Sequence, residues 1–192
     1  MKKIDLKYIY NITKQMLIYP DSIWPRVLNE KNSEKKLYRN YLFPITGIVS
    51  LLILLIELFY CGFWQALGLA LINLIAMLGG NWLAFLLTRE YLCRQFSFET
   101  HLALNLTVYS GGIFILFHSI GNAFGNAFLG QLFSLASFIF IRTLYKGLHQ
   151  IPGLQPKQKT NVMVICSLSI ICMPVIIHQL LMILFGISAF NI

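Results

Sequence analysis

Glu57, His118 and His178 are the residues whose chemistry stands out first, because each interrupts a long apolar run. A carboxylate inside such a run needs a partner or a proton, since burying its charge is costly. Glu57 lies 16 residues past Tyr41, His118 17 past His101 and His178 17 past Asn161. At about 1.5 Å per helical residue the three share a level near 25 Å into their runs. One carboxylate and two imidazoles at one level would suit a proton relay or a divalent-metal site. The alternative is that each side chain snorkels separately to the nearby headgroups. Their azimuth is not encoded in spacing, so both readings stay open.

A second polar set lies deeper in the runs: Asn73, Asn81, Asn105, Tyr109 and Ser110, the last two followed by Gly111 and Gly112, with Ser134 and Ser137 in the fourth run. Lipid offers such groups no partner, so they bond across helices or line a hydrophilic cavity. Tyr109-Ser110-Gly111-Gly112 is the centre of this set, its glycines allowing a neighbouring helix close. Gly79-Gly80 offers a second close approach, and Pro174 predicts a kink in the last run.

These residues must be positioned by membrane helices. The 192 residues are 57% hydrophobic and 11% charged, whereas soluble domains carry roughly 25% charged residues. Five runs reach the roughly 20 residues needed to cross a bilayer, near 41–62, 64–88, 101–121, 124–145 and 161–188. The net charge of +8 is not gathered on a soluble face, so nucleic acid is not an expected partner. Nine Lys or Arg precede residue 41, Arg89 and Arg94 follow the second run, and Arg142, Lys146, Lys157 and Lys159 follow the fourth. With five spans all fifteen fall on one side, which predicts a cytoplasmic N-terminus and an outer C-terminus. No uninterrupted apolar core opens the chain, so the first span is expected to serve as the insertion signal.

Ahead of the spans, residues 1–40 read as a cytoplasmic amphipathic segment, and 41–192 as the transmembrane domain. Tyr8, Ile12 and Met16 share one face of a helix, with Lys3, Lys7 and Lys14 opposite. That face suits either the membrane interface, with the lysines on anionic headgroups, or the protein's own loops. Pro20 breaks the helix, and Asp21 or Ser22 is expected to cap a second one with Pro25 in its first turn. The four cysteines show no CxxC spacing, and no catalytic motif is present.

Several stretches together resemble the Yip/YIPF family of five-span membrane proteins: IYPDSIWPRVLNE, LYRNYLFPITGI at the first span, YSGG in the third and IRTLYKGLHQIPGLQPKQK after the fourth. The short N-terminal region is similar to that of bacterial members, so the resemblance implies a bacterial inner-membrane protein and no Rab binding.

The resulting expectation is an all-α integral membrane protein that is not an enzyme and needs no cofactor. A scaffold or adaptor for proteins or lipids is the leading reading. A small oligomeric transporter or channel is the alternative. Expected partners are membrane lipids and other membrane proteins, with homo-oligomerisation as an option.

Overall fold

The computed structural model describes residues 6–96, 98–125 and 127–186, and every regular element among them is helical. Five helices are long and apolar enough to cross a membrane: Glu34–Glu57, Phe63–Phe96, Thr100–Ala123, Phe128–His149 and Pro156–Leu184. Two shorter helices, α1 (Leu6–Ile18) and α2 (Pro20–Asn29), precede them. The first span comprises α3 (Glu34–Leu37), a π-helical turn at Tyr38–Leu42 and α4 (Phe43–Glu57). The remaining spans are α5 (Phe63–Phe96), α6 (Thr100–Ala123), α7 with α8 (Phe128–Ala136 and Ile139–His149) and α9 (Pro156–Leu184).

The boundary expected near residue 40 falls inside the first span's continuous helix. Lys35 and Lys36 stay exposed there, so their charges do not oppose the helix. The second helix likewise outruns the expected end at 88. At 34 residues it is about 50 Å long, and its last turns carry Arg89, Glu90 and Arg94 beyond the apolar core, with Arg94 paired to Glu90.

Local chemistry explains the breaks. Pro20, rather than Asp21 or Ser22, opens α2, because proline at the first position lacks only an N–H that would have been unpaired. Pro25 therefore lies inside the helix. The fourth span is interrupted where the Ser137 hydroxyl donates to the Ser134 carbonyl at 2.6 Å. That bond competes with the helical ladder, and Phe140 N–H turns instead to Ser137 O at 3.3 Å. Pro156 starts α9, where Gln155 and Gln158 form a reciprocal cap. Further along α9, Pro174 is buried, and a Cβ on Gly80 would strike its backbone. The absent side chain thus lets α5 and α9 meet at the proline.

α6 is the axis of the bundle. Every residue from Ala103 to Ile115 is buried, with the other spans and both short helices around it. Leu51, Leu55, Leu71, Ile75, Leu168 and Ile176 point outward from the surrounding spans, as lipid-facing side chains do. The apolar face of α1 does not join them. Ile9, Ile12 and Met16 are buried in the same core as Tyr109, so this face packs on protein, and the expectation of Ile12 and Met16 at the lipid interface is corrected. Tyr8 is half-buried, Lys7 and Lys14 are exposed, and Lys3 lies outside the described residues.

Candidate functional site

Tyr109 occupies the centre of the end of the bundle where α1 and α2 dock, and it is fully buried. Tyr41 from the first span lies over it at 4.7 Å between centroids, and Trp24 from α2 meets it edge-on at 6.5 Å. The Thr13 hydroxyl donates to the Tyr41 hydroxyl at 3.4 Å. The two glycines after Ser110 have separate purposes. A Cβ on Gly112 would come within 2.7 Å of the Tyr41 ring, and one on Gly111 would displace the Asn81 amide. The Tyr109 hydroxyl has no partner at ordinary hydrogen-bond geometry; the Tyr8 phenol is the group coupled to it. Burial raises the Tyr8 pKa, the Glu30 carboxylate raises it further, and the Tyr109 hydroxyl opposes them.

The N-terminal helices are held by side chains that complete their ends. A helix leaves its last carbonyls unpaired unless something donates to them. For α1 those donors come from α8: Arg142 Nη1 to Leu17 O at 3.0 Å and Thr143 Oγ1 to Met16 O at 3.3 Å. For α2 the donor is Asn105 on α6, whose amide reaches Val27 O at 2.8 Å and Glu30 O at 3.1 Å. Lys146 pairs with Asp21 in the first turn of α2 at 3.0 Å. The Trp24 indole donates to Thr143 O at 2.8 Å, and its ring fills the notch left by Gly147.

Asn73 and Asn81 also bond between spans. Asn73 donates to Ser50 Oγ at 2.9 Å and accepts from Ser119 Oγ at 3.1 Å, joining α4, α5 and α6. Asn81 accepts from the Tyr38 hydroxyl at 3.1 Å and donates to Thr107 O at 3.3 Å. Each amide is shared by three helical segments, so it fixes their relative heights as well as their approach. Ser110 is buried beside Tyr109 in the chain, and its hydroxyl has no partner.

The three ionisable residues at the opposite end are not assembled. His178 lies within electrostatic reach of His118, while the His118 ring stacks on Phe114 at 4.9 Å and its Nε2 sits 3.3 Å from the Asn122 amide. Glu57 closes α4 beside Cys61, whose thiol lies 3.1 Å from the Glu57 carbonyl and 3.8 Å from its carboxylate. Among the described residues no three His, Cys, Asp or Glu side chains gather as a metal set.

Trp24, Thr143 and Gly147 were not singled out by type or spacing, and Arg142 counted only toward the orientation. The clue available was the apolar face of α2, with Ile23, Trp24, Val27 and Leu28 bunched in a polar segment. Comparison of the chain with protein-family models, with curated proteins and with solved structures finds no match in any of the three.

Proposed function

We propose that this multi-pass membrane protein is a non-enzymatic scaffold or adaptor, with its N-terminus in the cytoplasm and its C-terminus outside. The one-sided distribution of Lys and Arg supports that orientation. The bacterial cytoplasmic membrane and the Yip/YIPF type are the membrane and family that the sequence resemblance suggests. The partners in this reading are membrane lipids and membrane proteins, a second copy of this chain among them.

One observation carries the proposal: the asparagine amides at bilayer depth are spent on other helices. Ser50, Asn73 and Ser119 bond to one another, Asn81 bonds to Tyr38 and Thr107, and Asn105 bonds to α2. Aromatic rings fill the centre beside Tyr109. A core tied in this way suits a rigid platform, whose outer faces and docked N-terminal helices meet partners.

The transporter reading rests on a different observation. Thr107 Oγ1 and Ser110 Oγ are buried one turn apart on α6 without partners, as groups lining a polar lane would be. Photocrosslinking in the native membrane tests the scaffold directly, with reproducible protein adducts expected. Absence of such adducts together with solute or ion flux in proteoliposomes reverses the assignment.

A further inference from the structure

We propose that the cleft between the last turn of α8 and the first turns of α9 binds the headgroup of an anionic phospholipid. The cleft has a volume of about 310 Å³. Its floor is apolar, from Leu148 and Met163; Tyr145 and Pro156 flank it, and His149, Lys159 and Thr160 supply polar groups. This inference rests on the membrane placement proposed above and adds a ligand class to it.

Charge selects the kind of headgroup. No Asp or Glu follows Glu99 in the sequence, although Arg142, Lys146, Lys157 and Lys159 do. Arg142 is engaged by the Leu17 carbonyl and Lys146 by Asp21. Among the described residues, Lys157 and Lys159 pair with no carboxylate. Lys159 is also held at the cleft, its Nζ donating to His149 O at 3.3 Å. An ammonium has three donors, so two remain for a phosphate ester. The His149 Nδ1 lies 3.1 Å from Tyr145 O, which leaves Nε2 as the unengaged ring atom.

The surrounding helix faces select a lipid over a soluble phosphate. One helical turn at a time from Thr160, α9 presents Val164 and Leu168, which are 47% and 55% exposed. On α8, Tyr145 is 45% exposed, and an amphipathic ring at a span end suits the headgroup level. A ligand with phosphate at Lys159 therefore has apolar surface running from the cleft along the span, where an acyl chain belongs.

Native mass spectrometry of the purified full chain, titrated with phosphatidylglycerol or phosphatidylcholine, tests the site. Both lipids bring the phosphodiester, but the choline ammonium of phosphatidylcholine opposes the lysines, so the anionic lipid is expected to bind about tenfold better. K157A/K159A should lose that preference, while K35A/K36A on α3 should keep it. Equal binding of the two lipids by the unaltered protein overturns the proposal even if the cleft variant cannot be purified. An unchanged preference in K157A/K159A overturns it as well. Displacement of phosphatidylglycerol by the same concentration of glycerol phosphate reassigns the cleft to a soluble phosphate ester; retention supports the lipid. Lipid preference is read without protein partners, so its loss is distinct from a failure to find crosslinked proteins.

Discussion

Gly147→Ala should destabilise the docked N-terminal helices in the native protein and stabilise the same region once Trp24 is alanine. The added Cβ would lie 2.7 Å from Trp24 Cε2 and 2.9 Å from two further ring carbons. The ring has no free direction: it is fully buried, bonded through Nε1 to Thr143 O and set edge-on to Tyr109. Overpacking of this kind costs about 1–3 kcal/mol. Trp24→Ala removes the obstacle and itself costs about 3–5 kcal/mol through the cavity it leaves. In that background only the helical preference of alanine over glycine remains, a gain of about 0.5–1 kcal/mol. The double-mutant cycle should therefore give a coupling of about 1.5–4 kcal/mol. Amide hydrogen exchange across residues 6–30 in nanodiscs reads the local opening equilibrium directly. A Gly147→Ala effect of the same sign and size in both backgrounds would refute the Trp24 notch.

Three further outcomes are expected. Gly80→Ala should lower stability by about 1–3 kcal/mol, because its Cβ meets the Pro174 backbone, whereas Gly47→Ala meets nothing within 4 Å and should be neutral or mildly stabilising; matching melting temperatures would remove the close α5–α9 contact. Asn73→Ala should cost about 1 kcal/mol, from two interhelical bonds at roughly 0.6 kcal/mol each, and Ser119→Ala should add little to it; full additivity of the two would argue against their shared bond. In intact cells an impermeant maleimide should label Cys61, while Cys93 reacts only after permeabilisation, and the reverse order rejects the orientation. Burial and then the Glu57 carboxylate push the Cys61 thiol up, so its thiolate is scarcer at neutral pH and labelling should accelerate as pH rises.

Five spans were legible because long apolar runs have few other readings, and the asparagines stood out because lipid cannot satisfy them. The docking of α1 was not legible. Ile12 and Met16 form an apolar stripe whether lipid or protein covers it, and periodicity carries no information about which. The fourth span read as one run since the break at Ser137 depends on which carbonyl its hydroxyl takes. Depth arithmetic put Glu57, His118 and His178 on one level but could not say which way each side chain turns. Glu57 turns out to neighbour Cys61, while His118 and His178 lie within each other's electrostatic reach. Gly111 and Gly112 suggested the close approach of a neighbouring helix; what fills the space over them is the Asn81 amide and the Tyr41 ring, which no pattern in the sequence announces.

The bond from Trp24 to Thr143 joins residues 119 positions apart, and that separation sets an order on biogenesis. Helices α1 and α2 leave the ribosome first, yet the donors that complete α1 are supplied by Arg142 and Thr143. The two N-terminal helices can therefore complete their docking only after the fourth span has been made. Throughout synthesis of the first two spans the apolar stripe of α1 has no α6 to pack on, and its donors on α8 come later still. Docking then reports that the fourth span has been inserted the right way round, since an inverted span would carry Arg142 and Thr143 to the wrong side. A product without a correctly placed fourth span would leave Trp24 without its Gly147 notch and its bond to Thr143, and the Met16 carbonyl without its donor.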